Sequence, residues 1–352
     1  MRILHLHDET WDSGISHYAL TVACALQKKG HQVYFWAPMV SHSIAKARHA
    51  GLIARDVDFP WFYLHSLRCE IKKAKIELMN AHTGSTQSAA VALSLGLNIP
   101  VLRTRGDIRP VSANFLSRAL ASKTRGFIAP NDAIRNQLSA AFPQARVELI
   151  FQGIPSPIDV LPMPKAPVIG LLARLDEVKG HETWLDAVMI LRQQFPHARF
   201  LAAGGGSPEK LSRFRWQVDA LGLKGVVDFL GHVVDPWAFM ARCRIGVVAS
   251  TDSEAVCRAA LEWMAMGRPL VATAVGCLPD LLADNQTGLL IAPNDAPAMA
   301  KALLRLLENP QTADEFGVKG KQRFEQLFSV SRFADLTEKF YEESLRNIPP
   351  RR

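Results

Sequence analysis

The chain has 352 residues, of which 48% are hydrophobic and 21% charged, and it carries a formal net charge of +8. Such a length exceeds one ordinary hydrophobic core, so two domains of similar size are expected, and the composition is that of a folded globular protein rather than a disordered or fibrous one. No apolar run reaches the ~20 residues of a membrane span, the five scattered cysteines fit neither a disulfide framework nor zinc-ligand spacing, and the basic residues lack the aromatic interleaving that binds nucleic acid.

Residues 1–7 form an apolar strand that starts at once, without a signal-peptide layout, which predicts a cytoplasmic protein. A polar loop over 8–14 leads to a helical pattern over 15–29 that ends at Lys28-Lys29-Gly30. A strand over 33–37 and a helix over 41–50 follow. Further strands near 77–81, 100–104, 126–129 and 146–150 keep the rhythm, with helical patterns between them. Strands alternating with helices of this length predict a parallel sheet covered on both faces. Basic residues gather in this half: Lys72, Lys73 and Lys75, then Arg103, Arg105 and Arg109, then Arg118, Lys123 and Arg125. They fit a solvated basic surface or an anionic partner, either a small molecule or a lipid headgroup. The cysteines read as small buried apolar residues.

Residues 151–167 contain five prolines and read as an extended linker. The rhythm then restarts with strands near 168–173, 199–203, 226–230, 245–249, 270–274 and 288–291, and the last ~55 residues read as helical, broken at Pro310 and Ser329. The expected architecture is two doubly wound α/β domains. The boundaries are 1–155, a linker over 156–167, 168–328, and a C-terminal helix over 329–352 expected to pack back on the first domain.

Ligands of such sheets bind beyond the carboxyl ends of the strands. The first strand of the second domain ends in Arg174…Lys179-Gly180, a guanidinium and an ammonium suited to a diphosphate, or to a salt bridge with Asp176 or Glu177. Gly204-Gly205-Gly206 ends the next strand and lacks dinucleotide-fingerprint spacing, so it reads as a tight turn. The strand near 245–249 leads into residues 253–269, whose helix is expected from about Ala255 and stops at Gly267 and Pro269. Glu254 stands at its entrance and Glu262 two turns in, roughly 12 Å apart at helical rise, about the reach from a ribose to the sugar beyond its diphosphate. Taken alone, either glutamate reads first as a favourable helix-start charge or a solvated face. Gly276 and Cys277 can offer backbone amides from the next strand end.

Taken in order, Arg174…Lys179-Gly180, Gly204-Gly205-Gly206-Ser207-Pro208, Phe229-Leu230-Gly231, Glu254-x7-Glu262, residues 269–276 and Thr287-Gly288-Leu289-Leu290 resemble a family 4 (group 1) retaining glycosyltransferase of the GT-B fold. That fold has two Rossmann-like domains facing across a cleft. In the first domain Ser13-Gly14, residues 28–33 and residues 151–154 are similar more loosely. The resemblance implies that Arg174 and Lys179 hold the donor diphosphate and that Glu262 accepts from the ribose. It implies that Glu254 lies at the donor sugar, with amides near Val256 and Cys257, and that Gly14 belongs to the donor-binding loop. No metal and no other cofactor is expected. Two departures stand out. Val256-Cys257 replace the usual Phe-Gly and are followed by Arg258, which can pair with Glu262 or reach an anionic ligand. Gly106 stands where the family has a histidine, and His82, at another strand end, is the alternative. Arg103, Arg105, Asp107 and Arg109 are acceptor-side candidates. Asp56-Val57-Asp58 is a D-x-D in a first-domain strand, read as surface residues and not as a metal site. The expected function is hexose transfer from a nucleotide sugar, UDP-linked, to a cell-envelope acceptor such as lipopolysaccharide core or a lipid-linked saccharide, with peripheral contact to an anionic membrane and no nucleic-acid partner. The alternatives are a sugar-nucleotide-binding protein without catalysis and a nicotinamide-dependent oxidoreductase, which the absent G-x-G-x-x-G disfavours.

Overall fold

The computed structural model describes residues 1–11, 13–58, 64–252 and 254–346. Ser253, at the head of the glutamate stretch, and Phe59 and Pro60, beside the D-x-D, lie outside them. The chain forms two compact units, Met1–Gly153 together with the chain from Phe328 onward, and Ile154–Leu327.

In the first unit the elements are β1 (Arg2–Leu6), α1 (Gly14–Lys28), β2 (Gln32–Ala37), α2 (His42–His49), β3 (Ile53–Asp56), α3 (Leu64–Lys73), β4 (Leu78–Ala81), α4 (Gly84–Ser94), β5 (Val101–Thr104), α5 (Phe115–Ser122), β6 (Gly126–Ala129), α6 (Asp132–Ala141) and β7 (Val147–Leu149). In the second they are β8 (Val168–Leu172), α7 (His181–Gln194), β9 (Arg199–Ala203), α8 (Pro208–Ala220), β10 (Val227–Phe229), α9 (Pro236–Ala241), β11 (Ile245–Val248), α10 (Arg258–Ala265), β12 (Leu270–Thr273), α11 (Leu278–Leu281), β13 (Gly288–Ile291), α12 (Ala296–Glu308) and α13 (Pro310–Leu327). The last helix, α14 (Val330–Arg346), returns to the first unit.

The strand order is β3-β2-β1-β4-β5-β6-β7 in one sheet and β10-β9-β8-β11-β12-β13 in the other. The central pairings, β1 with β2 and β4, and β8 with β9 and β11, are parallel. Every residue of β4, β5, β6, β11 and β12 is buried, as a parallel sheet covered by helices on both faces requires. Strand order reverses between β1 and β4 in the first sheet and between β8 and β11 in the second. At such switch points the loops diverge to opposite faces and open a crevice.

Two local devices fix the elements that matter below. Gly246 of β11 leaves room for Trp263 of α10: a Cβ there would lie 2.4 Å from the indole Cδ2. Gly126 of β6 makes the same kind of room for Phe340 of α14, at 2.7 Å from Cζ. Around α14 the first unit gains an Asn80 to Tyr341 hydroxyl bond of 2.6 Å, a buried edge-on contact of Tyr18 with Phe333, and ion pairs from Lys29 to Asp335 and Glu338.

Three expectations change. The helix of the glutamate stretch starts at Arg258, not near Ala255, because the Glu254 carbonyl accepts from Cys277 N at 2.7 Å and is lost to any helical bond. Cys69 is exposed and Cys24 half-buried, so only Cys243, Cys257 and Cys277 are core residues. The proline-rich stretch is tied down: Arg268 donates to the Leu161 and Pro162 carbonyls and Arg244 to that of Pro164, all within the second unit.

Candidate functional site

The crevice of the second unit is built from the ends of β8, β11 and β12. After β8 the chain makes a short 3-10 turn over Glu177–Lys179 and reverses at Gly180, which has φ +66°. A Cβ at Gly180 would lie 1.9 Å from the Ala249 carbonyl oxygen, so this loop sits directly on the end of β11. Thr251 N donating to the Val178 carbonyl at 2.9 Å closes the same contact. After β12, Gly276 has φ +54° and lies against Glu254; a Cβ would come within 2.1 Å of its carbonyl oxygen. Only glycine allows both the left-handed backbone and this approach.

These loops bring Lys179 and Glu254 together. Lys179 Nζ donates to Glu254 Oε1 at 2.5 Å, and Ser250 Oγ donates to the same oxygen at 2.5 Å. The Glu254 side chain is 4% exposed and that of Lys179 19%, so the pair is largely desolvated. Burial alone would lower the ammonium pKa, but the Glu254 carboxylate outweighs it and holds Lys179 above its ordinary value. Thr273 Oγ1 donates to the Ser250 carbonyl at 2.5 Å, locking Ser250 from the neighbouring strand.

Arg174 is exposed and pairs with Asp176 at 3.1 Å. Asp176 also takes Lys210 at 2.8 Å, and that hydrogen bond leads in pulling its carboxyl down. On α10, Glu262 is buried and pairs with Arg258 at 2.9 Å. Burial raises its carboxyl pKa and Arg258 partly restores it. The helical spacing predicted between the two glutamates does not apply, since Glu254 lies in the loop before α10. Cys257 caps α10 and is buried, while Val256 is half-buried beside it. The Cys277 amide is not available to a ligand, because Glu254 O already takes it. Sequence reasoning missed Ser250 and Thr273; short polar residues at strand ends are common, and only their direction marks these two.

The first unit has its own polar cluster at the β1/β4 switch point. His5 Nδ1 and His82 Nε2 share a hydrogen bond of 2.9 Å, and His7 Nε2 meets Ser16 Oγ at 2.9 Å. All three rings are buried, and among the described residues His5 Nε2, His7 Nδ1 and His82 Nδ1 find no hydrogen-bond partner. Burial pushes the pKa of His5 down to about 3 and that of His7 down to about 4, with Asp8 opposing the latter. Burial, then His5, His7 and Arg103, push His82 well below its usual value. All three are neutral imidazoles at neutral pH.

Arg103 is buried and donates to the Thr104 carbonyl at 2.8 Å; burial brings its pKa down to about 9. Arg105, Asp107 and Arg109 form a self-tied surface loop. Arg105 donates to the Asp107 and Arg109 carbonyls, and Arg109 pairs with Asp107 at 2.7 Å. A Cβ at Gly106 would lie 2.5 Å from Ile15 Cγ1, so a larger side chain there requires the Ile15 side chain to shift. Gly14 opens α1 behind the Ser13 cap, whose hydroxyl accepts from Ser16 N. The signal for His5 and His7 was present as His5-Leu6-His7-Asp8-Glu9, four titratable groups in five residues closing an apolar strand. Asp56 pairs with Arg48 at 2.6 Å and Asp58 is exposed. Among the described residues no group of three or more His, Cys, Asp or Glu is placed to hold a metal ion. None of their helices is long and apolar enough to cross a membrane.

Comparison with known proteins gives matches to both units. The family described as Glycosyltransferase Family 4 matches residues 13–156, and that described as Glycosyl transferases group 1 matches residues 166–309. Phosphatidyl-myo-inositol mannosyltransferase of Mycolicibacterium smegmatis is 25% identical, across 88% of this chain and 85% of its own length. D-inositol 3-phosphate glycosyltransferase of Paenarthrobacter aurescens is 32% identical, across 51% of this chain and 45% of its own length. Among solved structures, a glycosyltransferase of Rickettsia africae superposes with a TM-score of 0.89 at 17% identity, covering 98% of this chain and 99% of the other. Anabaena HepE, solved in complex with UDP and glucose, superposes at 0.79 and 20% identity, covering 97% and 99%. The lipopolysaccharide outer core galactosyltransferase WaaB superposes at 0.77 and 12% identity, covering 97% and 100%.

Proposed function

Since the chain belongs to the family 4, group 1 glycosyltransferases, with the GT-B fold, we propose that it transfers a hexose from a UDP-linked donor to a cell-envelope acceptor. The acceptor is a lipopolysaccharide core or a lipid-linked saccharide, met at the cytoplasmic face of the membrane, and the sugar keeps its anomeric configuration. The observation that carries the reading is the desolvated Lys179–Glu254 pair at the β8/β11 switch point, with Arg174 on the adjoining loop.

Transfer leaves a nucleoside diphosphate, so negative charge grows on the departing phosphate. Lys179, held on Glu254, and Arg174 supply the cations that stabilise that charge. The sugar carbon becomes cation-like, as in glycoside hydrolysis, and Glu254, anchored by Ser250, is the carboxylate assigned to the ring. Glu262 accepts from the ribose hydroxyls, displacing Arg258. When the acceptor attacks from the leaving-group face, holding the two substrates together supplies much of the rate and no protein nucleophile is needed. His82 takes part as a neutral hydrogen-bonding group. Arg174 and Lys179 carry the charge compensation, so transfer should persist in EDTA.

The test is donor binding and turnover on the intact chain. UDP or its sugars should raise the melting temperature, nucleoside diphosphate should be released only with acceptor, and the product should keep the donor's anomeric configuration by NMR. Glu254→Ala and Lys179→Ala should each cut turnover on the order of 100-fold or more; near-normal rates would remove them from the mechanism. A second reading, donor binding without catalysis, is favoured by the closed position at Gly106. Melting shifts without turnover on any acceptor would establish it instead.

A further inference from the structure

Glu254 is held from two sides, by different elements. From the loop after β8, Lys179 Nζ donates to Oε1; from the end of β11, Ser250 Oγ donates to the same oxygen, each at 2.5 Å. Ser250 and Thr273 are both buried, and Thr273 Oγ1 donates to the Ser250 carbonyl at 2.5 Å, so β12 fixes the serine that fixes the carboxylate. The loop after β12 does the same for the backbone, where Cys277 N donates to the Glu254 carbonyl at 2.7 Å. Of the two partners on Oε1, Lys179 is the more open to solvent and Ser250 the more enclosed.

The proposed function gives Lys179 a second duty, on the donor diphosphate. A diphosphate carries more charge than one carboxylate and draws the ammonium toward it. Taking the cation from a buried carboxylate leaves an uncompensated charge, which is strongly destabilising unless other donors stay on it. Ser250 is such a donor, and a hydroxyl bonded to a carboxylate makes one of the stronger hydrogen bonds. At 1% exposure it cannot itself reach a ligand.

We infer that Lys179 passes from Glu254 to the donor diphosphate when the donor binds, and that Ser250, backed by Thr273, is the positioning residue that keeps Glu254 in place through that exchange. The inference rests on the proposed donor site and adds a change of partner within it. In the free protein the ammonium and the carboxylate neutralise each other. In the complex the ammonium compensates the diphosphate, and the carboxylate, still tied to Ser250, turns from ion-pair partner to acceptor for sugar hydroxyls. Ser250 and Thr273 act through Glu254 and not on the donor.

The experiment is calorimetric titration of the full chain and its variants with UDP and with uridine. Uridine lacks the diphosphate and leaves Lys179 on Glu254, so it reads the site without the exchange. Ser250→Ala should weaken UDP by about tenfold or more, the usual strength of a hydrogen bond to a charged group, and leave uridine unchanged. Thr273→Val, which puts a methyl in place of the hydroxyl, should weaken UDP by about threefold; Thr273→Ser, which keeps the hydroxyl, should bind UDP as the parent does. Melting curves without ligand report whether each variant is folded. Equal losses for UDP and uridine overturn the inference, since a general loosening of the site produces them. A loss of UDP affinity in Thr273→Ser equal to that in Thr273→Val overturns it as well. UDP affinity that Ser250→Ala leaves intact removes the exchange alone, because one ammonium then serves both partners at once. A parent chain that binds no nucleoside diphosphate removes the proposed function and the exchange together.

Discussion

Three imidazoles in the first unit are held without charge. An unfolded chain takes up protons on its histidines as pH falls through about 6.5, whereas in the folded chain His5 and His7 resist down to about 3 and about 4. Between those values the unfolded state binds more protons. The stability they contribute is therefore complete above about pH 6.5 and drains as pH falls toward about 4, by roughly 1 kcal/mol per histidine per pH unit. The melting midpoint of the first unit should drop between about pH 7 and about pH 5, and His7→Gln should flatten the drop. A midpoint that ignores pH in this range would contradict the buried neutral cluster. These residues also show how far a sequence speaks at this scale. Arg174, Lys179 and Glu254 stand out in the sequence as charged groups just past strand ends, and Glu262 through the family resemblance alone. His5 and His7 sit at alternate positions of an apolar strand and pass for core, and the bond between His5 and His82 joins residues far apart in the chain.

At the scale of elements, the crevice of the second unit depends on where loops touch. Gly276 combines φ +54° with contact against Glu254, so Gly276→Ala must both strain the backbone and push Glu254 off Lys179. The cost should be about 1–3 kcal/mol of stability, with turnover down at least about tenfold at preserved secondary structure, read by circular dichroism and initial rates. Gly267→Ala is the control: it has φ +63° but its nearest new neighbour would lie at 3.7 Å, so about 1–2 kcal/mol is lost while the UDP-induced melting shift stays. Equal effects of the two on turnover would refute the role given to the Gly276 contact. Most strands were readable to within a residue or so because buried parallel strands are short apolar runs bounded by polar turns, whereas β3, at the sheet edge and not fully buried, ends at Asp56 and leaves the rest of the D-x-D outside it. The start of α10 was not readable, because a long-range bond from Cys277 N to the Glu254 carbonyl holds the chain before Arg258 out of the helix, and no local pattern encodes it.

At the scale of the molecule, α14 completes a sheet begun over 300 residues earlier. Phe340 is 2% exposed and fills the space left by Gly126. Phe340→Ala should destabilise the first unit by about 3–5 kcal/mol and leave donor binding by the second unit unchanged, which urea unfolding followed beside UDP-induced melting shifts would separate. The periodicity of residues 330–346 shows that the helix has an apolar face; which sheet receives it depends on partners such as Asn80 and Tyr18, whose pairing with it no local pattern encodes.

This arrangement sets an order of events during synthesis. The second unit is one continuous segment and can reach its native contacts as soon as Leu327 has left the ribosome. The first unit, although made earlier, must wait with the seats of Phe333, Phe340 and Tyr341 uncovered until the last helix emerges. Exposed apolar surface of that kind is what chaperones hold and what aggregation recruits. The half of the protein translated first is thus the half that finishes folding last, and its wait is the time taken to translate the other unit.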